Sequence, residues 1–189
     1  MDVGHDTACA LATVVDLVNS APDLAGEEGL PGVAALRAMV ERREISEAGP
    51  LTADDLAAVL RLRDRLRAVY AAQDEPAAVR LVNDLVADAR TTPRLTDHDG
   101  WPLHMHYYAP GARLAEHLAA DCGMALAFVI AAGERSRLAT CAAPDCDRVL
   151  VDLSRNRSKR YCDARACGNR LNVAAYRQRK RLEHALDRT

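Results

Sequence analysis

The chain has 189 residues, of which 49% are hydrophobic and 28% charged, and its formal net charge is −2. This length accommodates one ordinary domain and a small module, and the apolar content excludes an intrinsically disordered chain. The longest uncharged apolar run, residues 124–132, is about half of the roughly 20 residues that cross a bilayer, so no membrane-spanning helix is predicted.

Two helices are predicted near the N-terminus. Apolar residues at helical spacing from Ala8 to Val18, with Asp6 or Thr7 as N-cap, predict a first helix that ends before Pro22. The residues ahead of it are acidic, whereas a secretory signal begins with positive charge, so we expect a cytoplasmic protein. A second, short helix is predicted around another apolar set: Val33, Leu36, Met39 and Val40.

Two more amphipathic helices follow. Thr52 and Asp55 have the spacing of a capping box, which marks the start of the third helix. Pro76 is expected as the first residue of the fourth helix. The apolar faces are predicted to bury Leu56, Val59, Leu60, Leu66 and Tyr70 in the third helix and Val79, Val82, Leu85 and Val86 in the fourth. The charged side chains expected to face water are Arg61, Arg63, Asp64, Arg65 and Arg67.

A small β-hairpin is predicted between residues 91 and 111. Asp99-Gly100 is a hairpin turn signal, and residues 103–107 alternate between apolar side chains and histidines. His104 and His106 therefore share one face of a strand, which we expect to face solvent. Alternatively these two, with His98, form a ligand or metal site, although no carboxylate or thiol at ligand spacing is evident beside them.

A fifth helix and the domain boundary come next. Helical spacing resumes from Leu114 to Ile130, and Gly133 is a natural C-terminal cap. We therefore divide the chain into a helical N-terminal domain, residues 1–136, and a C-terminal module, residues 137–189. An apolar cleft in the N-terminal domain could take a small-molecule effector, and a helical face could form a homodimer.

Four cysteines dominate the C-terminal module. Two Cys-x4-Cys pairs separated by 15 residues comprise Cys141, Cys146, Cys162 and Cys167. Paired thiolates of this kind close a tetrahedron around one structural Zn²⁺, which a small domain needs because its own core is limited. The competing interpretation is two disulfides or a redox dithiol, but the spacing is not that of thioredoxin-like centres. The remaining thiols, Cys9 and Cys122, are expected to be packed in apolar helical segments.

The order of elements between and after the cysteines predicts a treble-clef-like finger. Residues 148–153 have strand character, residues 154–158 resemble a turn, and residues 159–161 return as the second strand of a hairpin. A helix begins after the fourth cysteine. The predicted fold class is therefore mainly α, with one small N-terminal hairpin and a zinc finger that ends in a basic helix.

Two sequence motifs resemble known families. Cys167-Gly168-Asn169-Arg170 is the signature of the CGNR zinc-finger family, and residues 141–181 resemble this family more broadly. The N-terminal part is similar to the ABATE domain that usually precedes this finger, including Leu17-Val18-Asn19-Ser20 and Asp99-Gly100-Trp101. Members are regarded as bacterial transcription regulators, some of them stress-induced, so the resemblance implies DNA binding.

Charge is divided unevenly between the two predicted units. Residues 137–189 carry 13 basic and 6 acidic residues, whereas residues 1–136 carry 12 basic and 21 acidic ones. A compact basic unit is typical of polyanion binding, although some cations would serve to neutralise the zinc thiolates. One cationic strip lies on the predicted hairpin and comprises Arg155, Arg157, Lys159 and Arg160. A second lies on the final helix and comprises Arg170, Arg177, Arg181 and Arg188. Asn169 and Lys180 on the same helix are added to the predicted DNA-binding residues.

These strips lead to a hypothesis of duplex DNA binding. The helix would enter a major groove, with Arg170 contacting a guanine edge, and the hairpin cations would contact phosphates. Alternatively the basic helix is merely solvated, and Asn169 and Arg170 brace the zinc loop. A further alternative is a zinc-stabilised protein interaction module without DNA binding. No catalytic motif is recognisable, and four cysteine ligands leave zinc no open position, so we do not expect an enzyme.

Overall fold

The structure is a computed structural model, and it describes residues 4–22, 26–97, 103–163 and 166–186, with side chains as far as Arg181. Four helices come first, a two-stranded hairpin and a long fifth helix follow, and the C-terminal part contains a second hairpin and a last helix. In chain order these elements are α1 (His5–Asn19), α2 (Val33–Arg42), α3 (Ala53–Ala71), α4 (Glu75–Asp88), β1 (Arg94–Thr96), β2 (His104–His106), α5 (Leu114–Ala131), β3 (Leu138–Thr140), β4 (Val149–Val151) and α6 (Cys167–Leu186).

Local capping explains where the first helices begin. The capping box of α3 is confirmed, because Thr52 Oγ1 accepts a hydrogen bond from the Asp55 N–H and Asp55 Oδ2 accepts one from the Thr52 N–H. The N-cap predicted for α1 is wrong: the helix begins one residue earlier than Asp6, after Gly4, and has no side-chain cap. Helix α4 is capped by Asp74, so Pro76 is its second residue rather than its first.

Helix α5 lies at the centre of the core. It packs against α1, α3 and α4, and its buried residues are those of a helix covered on most sides. By length and composition α5 is apolar enough to cross a membrane, but 56% of its 18-residue stretch is buried inside the fold. Core helices of globular proteins share this property, so the composition of α5 is explained by its packing.

Two predictions about individual helix faces are wrong. Arg63 was expected to face water, but it is buried, and its Nη1 lies 2.6 Å from Glu28 Oε1. The segment before α2 folds over this part of α3, and a buried guanidinium requires such a carboxylate partner. Val79 was expected on the buried face of α4 but is exposed.

The two cysteines outside the predicted zinc centre differ in burial. Cys122 is buried as expected, whereas Cys9 is exposed.

The N-terminal hairpin is present, with its faces reversed. Strands β1 and β2 pair antiparallel, with Leu95 opposite Met105. His106 is only 8% exposed, whereas Leu103 is 67% exposed, so the histidine face of β2 points inward and the expectation of a solvent-facing histidine pair is wrong. The turn predicted at Asp99-Gly100 lies outside the described residues. The inward face of the hairpin packs against α5, and polar side chains of α5 lie opposite the histidines.

The C-terminal hairpin has a different partner strand from the one predicted. Residues 149–151 do form a strand, β4, but it pairs antiparallel with β3, which precedes the first cysteine. Residues 159–161 form no strand; they are joined to the loop between Cys141 and Cys146 by a hydrogen bond from the Ala142 N–H to the Arg160 carbonyl. The sequence could not indicate this pairing, because residues 138–140 lack a strong strand pattern.

The hairpin β3–β4 packs on the N-terminal helices. Val149 and Val151 belong to the main hydrophobic core, and β4 lies against α1. The Asn19 side chain donates to the Val149 carbonyl at 2.9 Å and accepts from the Val149 N–H at 2.8 Å. The division at residue 136 stays a prediction, since these contacts join the two units through one shared core.

Candidate zinc centre and basic surface

Four thiols converge in the C-terminal module. Cys141, Cys146, Cys162 and Cys167 are buried, and their Sγ atoms all lie within 4.8 Å of one another. Cys162 Sγ is 3.7 Å from both Cys146 Sγ and Cys167 Sγ, which is too far for a disulfide. Four soft ligands in one compact group fit a tetrahedral structural Zn²⁺ and leave no open position on it.

Backbone hydrogen bonds favour the charged, metal-binding form of one of the four thiols, that of Cys141. The Cys162 N–H donates to Cys141 Sγ at 3.3 Å. Burial acts to raise the pKa of the Cys141 thiol, but hydrogen bonds from the backbone of Cys162 and Ala143 outweigh it, so this pKa is lowered. At Cys146 burial prevails and raises the pKa. A bound cation would favour the thiolate form at both positions.

The residues after Cys167 have separate structural roles in the finger. A Cβ atom on Gly168 would lie 3.1 Å from the Tyr161 ring, so the absence of a side chain lets this ring pack on the first turn of α6. The Arg170 guanidinium forms a two-point ion pair with Asp145, and its Nη2 also lies 3.7 Å from Cys167 Sγ. Arg170 therefore joins the loop between Cys141 and Cys146 to α6, which favours the bracing role over contact with a guanine.

The buried carboxylate of Asp152 holds the loop that carries Arg155, Arg157, Lys159 and Arg160. This residue was not selected in the sequence analysis. Asp152 accepts hydrogen bonds from the backbone N–H groups of Ser154 and Lys159, at 2.8 and 2.9 Å. Arg137, also buried, donates to the carbonyls of Asp152 and Ser154. These bonds hold residues 154–159 in a fixed turn. The signal in the sequence was an acidic residue directly after a strand and ahead of a Ser-rich turn.

The cations predicted on this loop divide into paired and available side chains. Arg157 lies 2.8 Å from Glu134, and Lys159 lies 2.6 Å from Asp163. Arg155 and Arg160 are exposed, and within the described residues neither forms an ion pair. The loop therefore presents two available guanidinium groups beside two that also stabilise the turn.

Helix α6 extends away from the finger. Leu171 packs beside the cysteines, but every side chain from Asn172 to Arg181 is exposed. Ala175 is among these exposed residues, and the side chains of Leu182 and Leu186 lie outside those described. Asn169, Arg177, Lys180 and Arg181 all project from this exposed helix. The described residues offer no carboxylate partner to Arg177 or Arg181.

Comparison with family models agrees with this architecture. Residues 137–180 match the CGNR zinc finger, and residues 11–143 match the ABATE model, which is described as "Putative stress-induced transcription regulator". The chain belongs to the ABATE family. The second match covers more than two thirds of the sequence and overlaps the first at residues 137–143, which contain β3 and Cys141. A comparison with curated proteins found no match.

In this ABATE family member the zinc ligands are the four that the sequence predicted, and one structural zinc ion fits them. The predicted histidine set is only partly assembled: His104 and His106 are adjacent, with Nε2 atoms 2.8 Å apart, and His98 lies outside the described residues. Two residues of α5 that the sequence analysis did not select, His117 and Asp121, join His106 instead. Their spacing of four residues on an apolar helix was the available signal.

Proposed function

We propose that this protein binds duplex DNA through its zinc finger and regulates transcription without catalysing a reaction. The observation that carries the proposal is the exposed cationic length of α6: the helix begins at the zinc ligand Cys167, and every side chain from Asn172 to Arg181 is exposed. A rigidly held, solvated, basic helix has the dimensions and charge to enter a major groove.

The contacts are assigned according to which cations are available. Arg177 and Arg181 lie one turn apart on α6 and are proposed to contact phosphates, together with the loop residues Arg155 and Arg160. Lys180, on the same exposed part of α6, is proposed to add to the positive potential of this surface. Asn169 is exposed in the first turn, and its amide has the donor and acceptor pair that matches an adenine edge. Arg157, Lys159 and Arg170 are proposed to support the surface, since each is already paired within the finger.

A salt titration of the full chain on duplex DNA tests the proposal. Each phosphate contact contributes about −0.9 to the slope of log affinity against log salt, so Arg177→Ala and Arg181→Ala should each reduce the slope by roughly one. Arg80→Ala is the matched control, because Arg80 is an exposed arginine on α4, far along the chain from the finger. An affinity that does not change with salt, or equal effects of all three variants, would contradict direct DNA binding.

The alternative function is a zinc-stabilised surface that binds another protein. It is favoured by two large apolar side chains on α6, Val173 and Tyr176, which are 46% and 55% exposed. Val173→Ser and Tyr176→Ser should then abolish complex formation while leaving the zinc content intact. If these variants instead leave all binding unchanged and Arg177→Ala weakens DNA binding, the nucleic-acid proposal stands.

We further propose that this is a bacterial, cytoplasmic protein that acts in a stress response. Its N-terminal domain is proposed to bind an effector or to form a homodimer.

A further inference from the structure

Three side chains that bind metals in other proteins meet between β2 and α5. One ligand atom from each of His106, His117 and Asp121 lies within 4.8 Å of the other two. His106 and His117 are buried, at 8% and 6% exposure, and Asp121 is partly buried. This cluster belongs to the N-terminal domain and is separate from the cysteines of the zinc centre.

Neighbouring groups fix the orientation of each side chain in the cluster. Asp121 Oδ1 accepts a hydrogen bond from the Tyr107 N–H at 3.2 Å, while Asp121 Oδ2 lies 3.2 Å from His117 Nε2. The buried Tyr108 ring stacks on His117 with centroids 3.5 Å apart and meets His106 edge-on at 4.8 Å. A preformed arrangement of this kind reduces the cost of organising ligands around an ion.

The cluster lies in the wall of a cleft. The cleft has a volume of about 600 Å³ and is bounded by α1, β2, α5 and the segment that follows α2. His104, whose Nε2 is 2.8 Å from that of His106, lies on the same wall. An ion bound by the three side chains would therefore have remaining coordination positions directed toward a space large enough for a small molecule.

We propose that His106, His117 and Asp121 bind a divalent transition-metal ion. Two imidazoles and one carboxylate are a common ligand set for first-row transition metals, and they leave positions open for water or an anionic ligand. Ligand atoms about 2 Å from one ion lie roughly 3 to 3.5 Å apart, and the His117–Asp121 distance of 3.2 Å already has this value. The site is independent of the proposed DNA binding, since it shares no residue with the finger.

Metal content and Co²⁺ absorption of the full-length protein test the proposal. After loading with Co²⁺ and dialysis, we expect two ions per chain: one with the intense sulfur-to-metal absorption of a tetrathiolate site, and one without it. Asp121→Asn retains the oxygen that accepts from Tyr107 but loses the charge, and it should reduce the content from two ions to one while the sulfur band persists. Asp6→Asn is the matched control, because Asp6 lines the same cleft outside the cluster and its loss should leave two ions.

Several outcomes would overturn the proposal. Retention of a single ion by the wild-type protein, with the sulfur band fully developed, excludes a second site. If the folded Asp121→Asn variant retains two ions, the second ion binds at a different site and the proposal is wrong. If Asp121→Asn does not fold, His117→Asn replaces it. The wild-type titration also decides the matter independently: if no further Co²⁺ binds once the sulfur band is complete, the proposal is contradicted.

Discussion

The two halves of the molecule are held together by different means. The N-terminal helices and the hairpin β3–β4 share one large hydrophobic core, whereas the zinc centre has a small cluster made of the four cysteines, Ala143 and the partly buried Tyr161 and Leu171. A core of the second size cannot stabilise a fold without a staple. The comparison teaches that the protein needs a metal ion for folding only at the zinc centre, where few apolar side chains are buried.

Loss of a zinc ligand should break the finger while sparing the body. Cys167→Ser removes one thiolate, and structural zinc provides an apparent binding free energy on the order of 10 kcal/mol. We expect loss of the α6 helical signal in circular dichroism, loss of bound zinc and loss of DNA binding, because an exposed isolated helix is marginally stable. Cys122→Ser, at a cysteine outside the zinc centre, is the control. A fully helical, metal-free Cys167→Ser protein would contradict the comparison.

A core truncation should have the opposite pattern. Leu126 is fully buried in α5, so Leu126→Ala should lower the free energy of unfolding by about 2–5 kcal/mol in a urea titration. The zinc stoichiometry of the folded protein should stay at its wild-type value, because Leu126 does not belong to the cysteine cluster. Loss of zinc in the folded variant would show that the body and the finger are not separately stabilised.

The junction between the halves should show an intermediate effect. Asn19→Ala removes both hydrogen bonds to the Val149 backbone and should cost about 1–3 kcal/mol, since a partly buried N–H and carbonyl lose their partner. Urea unfolding monitored separately by body and finger signals measures it. We expect the two transitions to lie further apart in Asn19→Ala than in the wild-type protein. The matched control is Asn83→Ala, at an exposed asparagine on α4.

Acid should weaken both halves through different carboxylates. The hydrogen bond from Arg63 lowers the pKa of Glu28 in the body. In the finger, burial acts to raise the pKa of Asp152, but hydrogen bonds from Ser154 and Lys159 outweigh it and lower this pKa. Each group binds protons less readily when folded, so its contribution is complete above its unfolded pKa of about 4 and is lost as the pH falls below that.

This pH dependence can be measured as the free energy of unfolding between about pH 3 and pH 5, roughly one unit on either side of the unfolded pKa values of about 4. Asp152→Asn should flatten the acid limb of the finger transition, and Glu28→Gln should flatten that of the body. We expect this to be the smallest of the four effects, because each variant removes the titration of a single carboxylate. An acid limb unchanged in both variants would contradict the assignment to Glu28 and Asp152.

Some features were predictable because they depend on residues close together in the chain. The capping box of α3 needs only Thr52 and Asp55, and the zinc centre needs only the spacing of four cysteines. The family membership likewise follows from contiguous motifs. In these cases the interacting groups are brought together by one turn of helix or one loop, so their chemistry is evident before the fold is known.

Other features depended on contacts between distant segments. Strand pattern at residues 149–151 indicated β4, yet its partner β3 was fixed by the shared core with α1 and α3. Arg63 was expected to face solvent, because the helical periodicity of α3 contains no information about the segment before α2 that covers this side chain. The histidine strand was expected to face solvent, because nothing in its alternation reveals that α5 offers His117 and Asp121 opposite.

The sequence by itself determined the helices, the four zinc ligands and the concentration of positive charge after residue 136, because spacing and composition are properties of the chain. Only the tertiary structure decided which of those cations are already held by carboxylates, which strand completes the second hairpin, and that three polar side chains meet beside a cleft. The physical reason is that burial and pairing depend on groups far apart in sequence, whose positions are set when the core packs.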